Sequence, residues 1–175
     1  TFSLQWYSDQ DSMGLGISPR ENMDWVYRSC KRYAEEFKPG KSGNLLLTGD
    51  PGLGKTFLSA AIAREVSGEG WSVVYDTAAH IFDRFEAVKF GRDERAEEDV
   101  ARIMDCDLLI LDDLGTEMTT AFVQSALYQI INGRILERKP TILSTNLKVD
   151  ERNNEIAKRY SPQIVSRLKG EYHHL

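Results

Sequence analysis

Gly49-Asp50-Pro51-Gly52-Leu53-Gly54-Lys55-Thr56 is the stretch whose reading decides the fold. It satisfies G-x-x-x-x-G-K-[ST], a spacing with a physical purpose. Glycines let a backbone wrap a phosphate at close range with its N–H groups turned inward. A helix beginning at Lys55 or Thr56 would aim its positive end at the same phosphates. Lys55 is the charge for the β- and γ-phosphates, and the Thr56 hydroxyl is a magnesium ligand. Phe57 follows directly and is counted with the loop as a nucleotide contact. The expected ligand is ATP with Mg2+.

Working outward, the loop has the neighbours the motif requires. Asn44 to Thr48 is an apolar run ending at Gly49, as a buried parallel strand would. After the loop, Leu58, Ala61, Ile62 and Val66 recur at helical spacing until Gly68. The chain then keeps alternating. Strands are expected at Trp71–Tyr75, Asp107–Asp112 and Thr141–Thr145. Helices are expected over Ser18–Phe37, from a cap at Asp76 or Thr77 to Gly91, up to about Met104, and over Thr120–Arg138. Pro19 and Pro162 suit first helical turns. This alternation predicts an α/β fold, a parallel sheet with helices on both faces. The aliphatic and aromatic stripes on those helices are assigned to the core.

Two further segments carry chemistry. Leu108-Leu109-Ile110-Leu111-Asp112-Asp113 puts two carboxylates at the end of a buried strand, and ligands of open parallel sheets bind off such ends. Asp112 is placed to approach the magnesium of Thr56 through water. Asp113 is placed to orient or deprotonate an attacking water. Ser144-Thr145-Asn146 ends the next strand, where the Asn146 amide can bond both the γ-phosphate and that water. Arg167, on a helix opened by Ser161-Pro162, carries a planar fork suited to a phosphate.

Composition narrows the rest. With 175 residues, net charge −5 and 41% hydrophobic residues, the chain suits one compact soluble domain rather than a general nucleic-acid coat. A basic stretch (Lys148, Arg152, Lys158, Arg159, Arg167, Lys169) and an acid-rich one at 93–99 are read as solvated faces. Cys30 and Cys106 are far apart and suggest neither disulfide nor zinc. No apolar run reaches the ~20 residues of a membrane span, and a cytoplasmic location is expected. A GTPase would read its base with NKxD, and Asn146-Leu147-Lys148-Val149-Asp150 has one residue too many. A small-molecule kinase would need an arginine-rich lid that is not visible.

GDPGLGKT, LLILDDLGTE, PTILSTN and RYSPQIVSRLKG, in this order over residues 44 to 170, resemble the AAA+ ATPases. Within them the chain is similar to the DnaC/DnaI helicase-loader group and the related IstB transposition ATPases. The lead-in also resembles that group, from Thr1-Phe2 and Asn22 to Tyr33-Ala34-Glu35-Glu36-Phe37. The resemblance implies an AAA+ type three-layer P-loop NTPase. Asn146 would be its sensor and Arg167 its arginine finger, reaching the ATP of a neighbouring subunit in a ring or spiral. It implies two partners, a hexameric DnaB-like replicative helicase and single-stranded DNA, with Lys89, Arg92 and Arg95 as DNA candidates. Residues 1–43 are expected as a lead-in and 44–175 as the ATPase core, cut before its final strand and sensor region. A helicase-binding N-terminal domain is expected to be absent. Alternatives are an IstB-like helper of a transposase and a nucleotide-gated adaptor with little turnover. Asp113 sits where the family more often has a glutamate, which keeps the last reading open.

Overall fold

The structure, a computed structural model, describes residues 3–11, 16–91, 95–149 and 154–175. Five parallel strands form one sheet: β1 (Asn44–Thr48), β2 (Val73–Thr77), β3 (Leu108–Leu114), β4 (Thr141–Thr145) and β5 (Tyr172–His174). Their order is β2-β3-β4-β1-β5. The helices are α1 (Pro19–Glu35), α2 (Lys55–Gly68), α3 (Ala78–Lys89), α4 (Arg95–Asp105), α5 (Ala121–Leu136), α6 (Glu155–Arg159) and α7 (Pro162–Glu171).

The two-residue period of a strand divides the core into two layers. Leu45, Leu47, Leu108, Ile110 and Ile142 face α1 and α2, meeting Met23, Val26, Leu58, Ile62 and Val66. Leu46, Leu109, Leu111 and Leu143 face the other side, against Phe82, Ile103, Leu127, Ile130 and Leu168. Both faces are covered, so β1 and β3 carry unbroken apolar runs at residues 45–47 and 108–111. Each fully buried Leu or Ile contributes about 1.5–3 kcal/mol of burial free energy.

Caps fix where the helices begin. Ser18 and Glu21 form a capping box at the start of α1, with Pro19 in the first turn. Thr77, Thr120 and Ser161 cap α3, α5 and α7 through their hydroxyls.

Three expectations need correction. The second strand lies at Val73–Thr77 rather than Trp71–Tyr75, because β3 sets its register, with Val73 opposite Leu108 and Thr77 opposite Asp112. Ser72 instead ties the strand entrance to Asp107, through both its N–H and its hydroxyl. The core was expected to stop before its final strand, yet Tyr172–His174 is a fifth strand beside β1. Three residues are too few for an alternation to be read. The third strand runs on to Leu114 rather than ending at Asp112, and the lead-in packs on the core, α1 lying on α2 and burying Met23, Val26, Cys30 and Ala34.

Candidate functional site

The sheet order brings together the carboxyl ends of β3, β4 and β1, and the loops leaving them enclose one cleft of about 410 Å3. Its walls are Pro51, Gly52, Gly54, Lys55, Thr56, Asp113 and Asn146. Residues separated widely in the chain thus meet through the topology alone. A second cleft adjoins it and shares Asn146, with Thr48, Gly49, Asp50, Leu53 and His174 among its walls.

The loop from Gly49 to Thr56 has the backbone a phosphate cradle needs. Gly52 and Gly54 have φ of 83° and 87°, left-handed values that a side chain would strain. Gly54 is also the N-cap of α2, so no side chain closes the first turn and its N–H groups stay open toward the cleft. Lys55 is buried, and its Nζ donates to the carbonyls of Gly49 (2.6 Å) and Asp50 (3.0 Å). Burial lowers the ammonium pKa, while Asp113, Asp112 and Asp50 act to raise it. Leu53 and Phe57 are exposed, and the Leu53 carbonyl accepts from the Tyr7 hydroxyl at 3.1 Å. That bond ties the N-terminal segment to the loop.

Across the cleft, Asp112 is nearly buried and its oxygens are directed by hydroxyls from both sides. The Tyr75 hydroxyl of β2 donates to Oδ2 at 2.7 Å, and the Ser144 hydroxyl of β4 donates to Oδ1. The Asp113 N–H donates to Ser144 Oγ (3.0 Å) and Asp112 Oδ1 (3.2 Å). Asp113 has φ of 55°, a left-handed conformation uncommon for a residue with a side chain. It breaks the β3–β4 register after Leu111 and turns the Asp113 carboxylate out of the sheet into the cleft wall.

The magnesium expectation can be tested against this donor set. Mg2+ takes oxygen ligands in octahedral geometry, typically one or two from protein and the rest from phosphates and water. Exposed Thr56 lines the cleft, and buried Asp112, next in sequence to the cleft residue Asp113, supplies a second oxygen donor of that kind. An ionised carboxylate has about four lone-pair positions, so the bonds from Tyr75, Ser144 and the Asp113 N–H leave room for one water on Asp112. The residues fit the ion. Among the described residues no cluster of His, Cys, Asp and Glu forms another metal site.

Arg167 stands apart. It is half-buried on α7, lines neither cleft and makes no ion pair among the described residues. Of the DNA candidates, Lys89 holds its ammonium 4.8 Å from the Phe122 ring centre and 5.8 Å from that of Phe90. Arg95 opens α4, and Arg92 lies outside the described residues, as do Arg152 and Thr1-Phe2. Arg159 is not a solvated charge. Its guanidinium is turned inward onto Glu117.

Sequence reasoning missed Tyr75, Ser144 as a partner of Asp112, and Tyr7. Tyr75 reads locally as one more aromatic in a strand. Only the pairing of β2 beside β3 reveals its neighbour.

Comparison with known proteins agrees with this geometry. The DnaC helicase loader crystal structure superposes with a TM-score of 0.77 over 99% of this chain and 94% of that one, at 20% identity. AMPPCP-bound DnaA from Aquifex aeolicus gives 0.72 over 89% and 46%, at 25% identity. The fold is that of the AAA+ P-loop ATPases. In sequence, the replicative helicase loader DnaC of Escherichia coli (strain K12) is 28% identical over 130 residues, 74% of this chain and 53% of that protein. The chain therefore spans about half the length of the curated relatives it matches. No helix among the described residues is long and apolar enough to cross a membrane. The model of the IstB-like ATP binding protein family matches residues 36–168, and the chain belongs to that family.

Proposed function

We propose that this chain is a slow ATPase whose active site is completed by a neighbouring copy, and that its assembly loads a replicative helicase onto single-stranded DNA. The observation that carries the reading is the grouping of Lys55, Thr56, Asp113 and Asn146 around one cleft whose walls, among the described residues, include no arginine. Phosphoryl transfer of this class needs charge on the γ-phosphate oxygens as the bond breaks, and an arginine from a second subunit is a recurrent way to supply it. Arg167 has the chemistry and has no partner carboxylate of its own among the described residues.

In this mechanism the amides from Gly49 to Thr56 and the Lys55 ammonium hold the β- and γ-phosphates. Asp113 takes the proton of the attacking water, and Asn146 bonds that water and the γ-phosphate. Arg167 of the adjacent copy stabilises the charge on the departing phosphoryl group. Thr56 and, through water, Asp112 would hold magnesium, which when bound neutralises charge on the phosphates. Asp113 reaches less far than a glutamate, consistent with slow turnover. Residues 44–175 are the motor, and 1–43 buttress it through α1.

The helicase rather than a transposase is favoured as cargo by the DnaC relatives in sequence and fold. A DnaA neighbour was solved with AMPPCP and single-stranded DNA, which supports single-stranded DNA as a partner, with Lys89, Arg92 and Arg95 as the candidate contacts. The family name keeps the transposase helper as second reading.

Turnover of the complete protein tests the first half. Lys55→Ala should abolish ATP binding. Arg167→Ala should keep the ATP affinity of the isolated chain yet lose far more than tenfold in turnover, since such fingers supply about 10³–10⁵. Unchanged turnover of Arg167→Ala in an assembled sample would refute the shared site. Retention of a hexameric helicase, and not a transposase, in a pull-down with ATP and single-stranded DNA tests the second half.

A further inference from the structure

The turn that follows Asp113 is organised around a buried carboxylate that the mechanism above does not use. Glu117 has a side chain only 5% exposed, although it sits in a turn between Gly115 and Thr120, beside Met118 at 83%. Its Oε2 accepts from the Gly115 N–H at 2.8 Å, and its Oε1 accepts from the Tyr160 hydroxyl. Arg159 donates through Nη2 to the Glu117 carbonyl and holds its Nε 3.8 Å from Oε1. Burying a carboxylate is costly unless it is hydrogen-bonded and paired, so a mere spacer at this place would be apolar. The partners of Glu117 come from two places: its own turn, and the junction of α6 and α7.

A second set of contacts pins the same turn to the loop carrying Asn146. The Thr145 hydroxyl donates to the Leu114 carbonyl at 2.6 Å. Leu147 packs so closely on Gly115 that a Cβ there would lie 2.7 Å from it. Gly115 also has φ of 103°. Asp113, Asn146 and the start of α7 are therefore tied into one body, with the Glu117 side chain bonded to both the turn and Tyr160.

We propose that Glu117 is a positioning residue that locks the turn bearing Asp113 to the α6–α7 unit bearing Arg167. Through it, the state of one subunit's own site sets the posture of the arginine it offers to the next. Glu117 touches no substrate, since it lies outside the wall of the cleft. The inference rests on the shared-site reading, and the test separates the two.

The experiment mixes variants of the complete protein and reads ATP turnover. Lys55→Ala lacks a working site but keeps Arg167, while Arg167→Ala keeps the site but lacks the arginine. Mixed together, they restore turnover if sites are shared. Failure of that control sinks the shared-site reading and the Glu117 role with it, whereas a working control with normal donation by Glu117→Gln sinks the Glu117 role alone. Glu117→Gln keeps size and shape but loses the charge and one acceptor. It should bind a fluorescent ATP analogue within twofold of wild type. Mixed with Arg167→Ala, it should give at least fivefold less turnover than the control pair, because its arginine is misplaced. Restoration equal to the control would overturn the proposal, since a purely local role in the Asp113 turn leaves the donated arginine intact. Tyr160→Phe covers the case in which Glu117→Gln does not fold. It keeps the Gly115 bond and the Arg159 contact and removes only the hydroxyl bond from Tyr160 to Glu117. It should keep turnover at its own site when paired with Lys55→Ala, yet donate poorly to Arg167→Ala. Normal donation by Tyr160→Phe would equally overturn the proposal.

Discussion

Asp112 shows how much of a site is decided by atoms that never meet the substrate. Its carboxylate is directed from two neighbouring strands, by Tyr75 on β2 and Ser144 on β4. Tyr75 is 38% exposed, and partial burial together with the bond to Asp112 raises its pKa above the ordinary tyrosine value. The hydroxyl therefore stays protonated, and a donor, throughout the neutral range. Tyr75→Phe removes that donor without removing the ring. Asp112 Oδ2 is then free to rotate away from the water through which it would hold magnesium. A hydrogen bond of this kind is worth about 0.5–1.5 kcal/mol net, so the Mg2+ concentration for half-maximal turnover should rise roughly threefold or more. ATP binding measured without magnesium should be unchanged. A magnesium titration of turnover at saturating ATP checks this, and an unmoved midpoint would show that Tyr75 merely packs.

At the scale of the element, α5 is held by a charge in the core rather than by apolar packing alone. Arg134 is 0% exposed and donates to the carbonyls of Ile103, Met104, Cys106 and Pro140 and to the Thr141 hydroxyl. No carboxylate faces it among these partners. The carbonyl end of α4, with its negative partial charge, takes that part. Arg134→Met would leave several buried carbonyls unsatisfied and should cost at least ~3 kcal/mol. Arg134→Lys should recover only a fraction, because an ammonium cannot reproduce the five-donor fork. Urea unfolding followed by fluorescence and circular dichroism measures both, and a wild-type midpoint for the lysine variant would discard the account. The example also marks what was legible in the sequence. Val123, Leu127, Ile130 and Ile131 announce α5 by spacing, because helical periodicity is local. Arg134 continues that stripe and reads as its polar end, since its partners lie on other elements. The phosphate loop was legible for the same reason as the stripe, eight consecutive residues carrying their own geometry. Tyr75 with Asp112, and Glu117 with Tyr160, were not, because the pairs join only after the sheet has formed.

For the whole molecule, the order β2-β3-β4-β1-β5 places three strand ends side by side and leaves Arg167 outside the cleft they enclose. A site completed by Arg167 of a second copy, as proposed, would obey linkage. If a second copy contributes an arginine to the bound triphosphate, then ATP favours assembly, and assembly must favour ATP by the same factor. The apparent affinity for ATP should therefore depend on protein concentration. Half-saturation by a slowly hydrolysed analogue should fall as protein rises through the range in which sedimentation shows association. A coupling of ~1–3 kcal/mol would move it about fivefold to 150-fold. Arg167→Ala should bind the analogue with the weak affinity of the isolated chain at every concentration. Lys55→Ala should stay unassembled whatever the nucleotide. Asp113→Asn is the informative complement: it keeps the cradle and the arginine but lacks the base, so it should assemble with ATP and remain assembled. The net charge of −5 makes self-association weakly repulsive at low salt, so added salt should not weaken assembly as it would a charge-driven contact. Half-saturation that stays constant over a hundredfold range of protein concentration would mean that each copy binds and cleaves alone, and Arg167 would need another explanation.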